Sequence, residues 1–313
     1  MRVLVIGGTG FLGPHILCAL EGHRLTVLHR GKSKTFIPPG AETIIGDRSD
    51  LADHVRGRQF DVVIDCICTN LSDAATLVEA FHRKPTRIVM LSSADVYRAH
   101  EVMHGRDAGP LMPVPIREDG ELRRYRYPYR GQKIPGYEWV DTNRYDKILA
   151  EQALAPLEPA ILRLPMIYGP RDPLHRFRAF LQQMDSGQAT IPLEEELSRW
   201  RGCWGYVENV CDAVALAAIS TRATGRTYNV AEQNSPDFGT WLRLLADAAE
   251  WKGAIVPVHE RQMPFHYEQH WTLDSNSIRA ELGFRERIDR AEAMRRTVAW
   301  ERSQPMAAAV GQA

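Results

Sequence analysis

Five residues rich in Val, Leu and Ile, Arg2 to Ile6, run without a break into Gly7-Gly-Thr-Gly10-Phe-Leu-Gly13. No other stretch constrains the chain as much. A short apolar run reads as a strand buried on both faces. Glycines three residues apart directly after it let the backbone turn tightly, approach a pyrophosphate closely and pack a following helix on the strand. Between a strand and a helix, such a turn is specific for dinucleotide binding, so Gly7, Thr9, Gly10, Phe11, Leu12 and Gly13 are expected at the cofactor.

The pattern continues beyond the turn. Arg24 to His29, Glu42 to Ile45, Asp61 to Asp65 and Arg87 to Ser92 read as further buried strands, while Phe11 to Glu21 and Ser72 to Phe81 carry apolar residues at helical spacing. Alternating strands and helices specify a doubly wound parallel sheet of the Rossmann type. From His100 to Asp141 the pattern gives way to Pro, Gly, Tyr and Arg, a long surface excursion. A helix over Arg144 to Leu154 and a strand over Ala160 to Pro165 then resume the sheet. Later helices are expected over Tyr206 to Ile219, Phe238 to Glu250 and Arg290 to Glu301. The expected organisation is a dinucleotide domain of residues 1–169 and 204–231, a smaller C-terminal substrate lobe of 170–203 and 232–302, and a frayed tail over 303–313.

Thirty-nine basic residues balance 39 acidic ones, so no global field draws the molecule to nucleic acid or anionic lipid. No apolar run is long enough for a membrane span. Five scattered cysteines with no leader-like stretch before them suggest a reducing cytoplasm. The histidines show neither H-E-x-x-H nor H-x-H spacing, and no metal site is expected. The second strand ends at His29-Arg30-Gly31-Lys32, where an NAD-binding chain would place an acid on the ribose hydroxyls. Arg30, Lys32 and Lys34 stand there instead, and an arginine can pair bidentately with a 2′-phosphate, so NADP(H) is preferred over NAD(H).

The glycine turn, Gly46-Asp47-Arg48, Ile64 to Cys68, Ser92-Ser93-Ala94-Asp95-Val96-Tyr97 and Arg163-Leu-Pro165-Met-Ile167-Tyr-Gly-Pro170 together resemble the extended short-chain dehydrogenase/reductase family, which includes nucleotide-sugar epimerases and dehydratases. The resemblance covers nearly the whole chain. It implies Asp47 and Arg48 beside the adenine, Cys66, Ile67 and Ser92 lining the cofactor, Pro165 and Ile167 beside the nicotinamide, and Ser93 as the catalytic serine. It also implies a homodimer through the helices near 72–82 and 144–155. Such proteins carry Tyr-x-x-x-Lys on the active-site helix. Here Lys147 takes the lysine position, holding the nicotinamide ribose, and Asn143 stands where the tyrosine belongs. Tyr145 lies about 200° around a regular helix from Lys147 and reaches the same pocket only if the helix starts late. Tyr97, Asp95, Tyr129 and Tyr137 are the other candidate proton donors.

The stretch from Arg117 to Arg130 interleaves aromatic and basic residues. It reads either as a lid that clamps an anionic substrate or as a solvated loop with its arginines paired to Glu118, Asp119 and Glu121; nucleic-acid stacking is disfavoured by the zero net charge. Arg163 and Arg201 are candidates for a substrate phosphate or carboxylate. The expected activity is oxidoreduction, epimerisation or dehydration by hydride transfer at a hydroxyl- or keto-bearing carbon of a small molecule, phosphorylated or nucleotide-linked. The rival is a non-catalytic dinucleotide binder: a redox sensor, a partner-binding module or an RNA-associated relative.

Overall fold

The computed structural model describes residues 1–32 and 35–305. In chain order its elements are β1 (Arg2–Ile6), α1 (Gly13–Ala19), β2 (Arg24–His29), β3 (Glu42–Ile45), α2 (Leu51–His54), β4 (Val62–Asp65), α3 (Leu71–Phe81), β5 (Arg87–Ser93), α4 (Arg98–Met103), α5 (Lys147–Ala153), β6 (Ala160–Leu164), β7 (Met166–Tyr168), α6 (Arg178–Asp185), β8 (Thr190–Glu194), α7 (Glu195–Arg199), β9 (Trp204–Tyr206), α8 (Val207–Ile219), β10 (Thr227–Asn229), α9 (Phe238–Ala248), β11 (Ala254–Val258), α10 (Asn276–Leu282) and α11 (Arg290–Ser303). Seven parallel strands form one sheet in the order β10-β6-β5-β4-β1-β2-β3. The order reverses between β1 and β4, and a crevice opens at the carboxyl ends of those two strands.

Successive side chains of β1 explain the two layers. Val3 and Val5 enter one core with Ile16 and Leu17 of α1 and Val210 and Val214 of α8, whereas Leu4 and Ile6 enter the other with Leu77 and Phe81 of α3 and Leu154. A strand covered on both faces must be apolar at every position, as β1 is. The remaining strands form two short parallel pairs, β7 with β9 and β8 with β11. Tyr168, Phe177, Trp204, Tyr206 and Trp241 interlock there, with Tyr168 and Trp204 each 5.2 Å ring to ring from Trp241.

Three expectations need correction. The strand over Glu42 to Ile45 forms as β3 but is not buried, because it lies at the edge of the sheet and Ile45 is 70% exposed. The stretch over His100 to Asp141 is not a surface loop throughout, because every residue of α4 is buried and Arg123 is 1% exposed. Bridges Tyr97 to Leu122 and Ile116 to Leu273 stitch the stretch to the sheet end and to the C-terminal segment. The helix expected from Arg144 starts at Lys147, because the Asp146 carboxylate accepts from the Ile148 and Leu149 amides and caps it there. Of the expected tail, Ser303 closes α11; residues 306–313, like Ser33 and Lys34, lie outside the described residues.

Candidate active site

The glycine turn shows in its geometry what each glycine is for. Gly7 has φ +79°, and a Cβ there would also meet Ile67 Cγ2 at 2.6 Å, so Ile67 packs against the turn. A Cβ on Gly13 would collide with the Gly8 backbone. At Gly10 the nearest atom would be 3.7 Å away, so nothing in the protein forbids a side chain there. The space over Gly10 is a cradle that a methyl group would fill, and the Phe11 and Leu12 amides beside it meet no acceptor among the described residues. Both features suit the diphosphate of a dinucleotide. The Thr9 carbonyl accepts from the Thr35 hydroxyl at 2.8 Å.

At the end of β2, His29 Nδ1 accepts from the Gly31 amide, while Arg30 and Lys32 are exposed and enter no ion pair among the described residues. Asp47 is exposed nearby, its carboxyl held below the usual range chiefly by the Ser49 amide, with Arg30 adding to the effect. Arg48 departs from expectation. Its guanidinium turns inward to Asp65 at 3.0 Å and Asp73 at 3.3 Å, because the fully buried Asp65 carboxylate at the end of β4 requires a counter-charge. Cys66, next along, is half-buried. Ser92 also turns away from the crevice, donating to Glu151, which in turn holds Arg163 at 2.8 Å. Arg163 is therefore an internal strut rather than a substrate grip. Pro165 packs beside Gly205, and the Ile167 carbonyl accepts from Arg176 at 2.6 Å.

Beyond β5 the chemically useful groups converge on Asp95. The Ser93 hydroxyl accepts from the Asp95 amide at 3.2 Å and caps a single 3₁₀ turn, Ala94–Val96, that carries Asp95 inward to 2% exposure. Tyr145 and Tyr129 both donate to Asp95 Oδ2, at 2.8 and 3.1 Å, with their rings edge to face at 5.1 Å. Asp95 Oδ1 is buried without a partner. Because α5 starts late, Tyr145 precedes the helix, and the 200° separation from Lys147 does not apply. Lys147 Nζ donates to the carbonyls of Cys68 and Leu91, both at 2.7 Å, which leaves one proton uncommitted; burial lowers its pKa. Burial, then the Asp95 charge, pushes both phenols well above their ordinary value, so they keep their protons. Tyr97 is committed elsewhere, donating to Asn229 at 2.6 Å and accepting from Arg163 at 3.0 Å. Asn143 is exposed and only holds the Gly131 amide; Tyr137 lies against Trp139.

The sequence profile of the NAD dependent epimerase/dehydratase family matches residues 3–231. The chain belongs to that family of enzymes. A dTDP-glucose 4,6-dehydratase of Streptomyces griseus is 26% identical over 92% of this chain and 81% of its own length. A UDP-N-acetyl-alpha-D-glucosaminuronate decarboxylase of Bacillus cytotoxicus is 22% identical over 96% of this chain and 98% of its own. Among solved structures, UDP-glucose-4-epimerase from Stenotrophomonas maltophila, with bound NAD and formylated UDP-arabinopyranose, superposes with a TM-score of 0.71 at 17% identity, covering 96% and 98% of the two chains. The likeness in three dimensions bears on the fold, which it shares with this epimerase/dehydratase chain.

Within this family member, two parts of the site had no sequence signal. Arg123 forms an ion pair with Asp146 at 2.9 Å, both side chains at 0% exposure, and so fixes the turn that carries Tyr145. His100 Nε2 lies 3.5 Å from the Tyr129 hydroxyl, and its ring is 5.3 Å from that of Trp271. Both residues sit in the excursion, whose fold depends on contacts far along the chain. The residues flanking Trp271 help line a cavity of about 350 Å³ with Arg201, Asn234, Ser235 and Asn276. Among the described residues there is no cluster of metal-ligating side chains, and no helix is long and apolar enough to cross a membrane.

Proposed function

We propose that this protein binds a nicotinamide dinucleotide at the glycine turn and acts by hydride transfer at a hydroxyl-bearing carbon of a small, anionic substrate of the nucleotide-sugar kind. One observation carries the chemistry: the buried Asp95 carboxylate receives two phenolic protons on Oδ2 and keeps Oδ1 free, next to Ser93 on the same turn. Held at the glycine turn, a nicotinamide dinucleotide would supply a hydride acceptor and donor at the hydroxyl-bearing carbon. Asp95 Oδ1 takes the hydroxyl proton of the substrate. The phenols of Tyr145 and Tyr129, kept protonated by their raised pKa values, hold the negative charge on Oδ2, and the proton taken by Oδ1 returns from Asp95 in the reverse step. The Ser93 hydroxyl orients the reacting oxygen. Lys147 offers its remaining proton to the ribose and its charge to the buried site. The cavity lined by Arg201, which lacks an ion-pair partner among the described residues, also carries Glu232 and Asp274, so it offers the substrate a polar, mixed-charge end. The nucleotide-sugar class is supported by what the similar enzymes are named for.

For the cofactor, exposed Arg30 and Lys32, with no acid on the second-strand end, favour NADP(H). Calorimetric titration with NADPH and NADH checks this. Tighter NADPH binding that disappears in Arg30→Ala supports it, whereas equal affinities indifferent to Arg30 return the choice to NAD. For the chemistry, purified protein is screened on a panel of nucleotide sugars by dinucleotide absorbance and product mass. Asp95→Asn is expected to lower kcat about 10²- to 10⁴-fold with dinucleotide affinity retained. Turnover indifferent to Asp95→Asn would reject the assignment, and dinucleotide binding with no turnover on any member of the panel would favour a non-catalytic role.

A further inference from the structure

The turn after β7, Gly169-Pro170-Arg171-Asp172, holds Arg171 with φ +74°, a left-handed conformation that an arginine adopts only where its surroundings impose it. The turn is pinned by its neighbours: Asp172, 2% exposed, accepts from the Leu174 and Arg176 amides and pairs with the Arg176 guanidinium at 2.7 Å. This backbone aims the Arg171 side chain across the crevice at the opposite wall. Its Nη2 donates to the Thr35 hydroxyl at 3.0 Å, and that hydroxyl donates to the Thr9 carbonyl at 2.8 Å, so two hydrogen bonds separate the guanidinium from the glycine turn. On α1, burial pushes the His15 imidazole down against the opposing Glu208 charge and Pro170 backbone, and the Arg171 charge adds a smaller lowering. Arg171 pairs with no carboxylate among the described residues, and a single neutral hydroxyl is its one hydrogen-bond partner there.

We propose that Arg171 is a ligand of the cofactor's diphosphate, closing over the glycine turn from the opposite side of the crevice while Thr35 holds it ready. This rests on the dinucleotide reading of the cleft. A guanidinium without a counter-ion, one side chain away from a cradle that suits two phosphates, completes its charge when the anion arrives. The amides of Phe11 and Leu12 would meet the diphosphate from one side and Arg171 from the other. Thr35 joins the 35–40 segment to the same contact, so occupancy of the cradle and the position of that segment are coupled.

The test is equilibrium binding, independent of any substrate. ADP-ribose and NAD are titrated calorimetrically into the wild type, Arg171→Met, Arg171→Lys and Thr35→Val, and adenosine is followed in parallel by ligand-observed NMR. The expected result is a loss of about 10- to 100-fold in ADP-ribose and NAD affinity for Arg171→Met, partial recovery in Arg171→Lys, and unchanged adenosine binding. The salt dependence of ADP-ribose affinity should become shallower in Arg171→Met. Thr35→Val frees the guanidinium and should hold or tighten ADP-ribose. Arg171→Met binding ADP-ribose within twofold of wild type would overturn the proposal, as would an equal loss of adenosine, which marks damage to the fold. Failure of the wild type to bind any dinucleotide would instead overturn the reading of the cleft, and the role of Arg171 with it.

Discussion

His100, with its neighbour His104, is where pH should act most directly on stability near the site. It is 3% exposed, and burial, with His104, Arg123 and Arg106 adding repulsion, lowers its pKa well below 6.5; the Tyr129 hydroxyl and the Trp271 ring complete its surroundings. The folded state holds this ring neutral while the unfolded chain protonates it near its ordinary value. The unfolded state therefore binds more protons between the two pKa values, and stability is full above about 6.5 and falls as pH drops below it. Urea denaturation at a series of pH values is expected to show that decline, and His100→Gln should make it shallower, with His15, His104 and His270 carrying the remainder. Asp146 makes a second case. Its carboxylate neutralises the fully buried Arg123, receives the Tyr127 amide and caps α5. Asp146→Ala should cost about 3–5 kcal/mol in the same assay, because it strands a buried charge and removes a cap at once. Arg123→Met should cost less, since three amides still serve the carboxylate.

At the scale of elements, the glycine turn separates fold from ligand. Gly13 meets the Gly8 backbone so closely that Gly13→Ala must push α1 off the sheet, and thermal unfolding should register a marked loss of Tm. Gly10→Ala meets only open space within the protein, so its Tm should stay near wild type while dinucleotide affinity, read by calorimetry, collapses. Equal Tm losses for the two would contradict the division of labour. Four of the five strands of the first hundred residues, β1, β2, β4 and β5, and the turn itself were legible because a strand covered on both faces leaves a continuous apolar run, whereas β3 is an exposed edge strand. The start of α5 was not. Its Asp146 cap resembles any aspartate in the sequence until Arg123 arrives from 23 residues away to orient it. The inward turn of Arg48 was hidden for the same reason, since its partners Asp65 and Asp73 lie on other elements.

For the molecule as a whole, the aromatic cluster of Tyr168, Phe177, Trp204, Tyr206 and Trp241 ties α9 and the start of α6 to the β7–β9 pair. Tyr168 touches the other four rings, and Trp241, 0% exposed, packs against three of them with the Arg290 guanidinium 5.3 Å from its ring. Trp241→Ala is expected to cost about 3–5 kcal/mol, measured by urea denaturation, and to lower substrate-side binding before the dinucleotide cleft is lost. The homodimer through α3 and α5 is an expectation of the family resemblance that light scattering on the purified protein decides.

What the sequence determined by itself was the sheet, its dinucleotide turn and the departure at Asn143, because these are written in contiguous runs whose periodicity and glycine spacing are local properties. The tertiary structure alone decided which side chains do the work. Asp95 gathers Tyr129 and Tyr145, Thr35 meets Arg171, and Arg48 and Arg163 are withdrawn into ion pairs. A buried charge takes whichever partner the fold brings within hydrogen-bond reach, and that proximity is settled between elements distant in sequence.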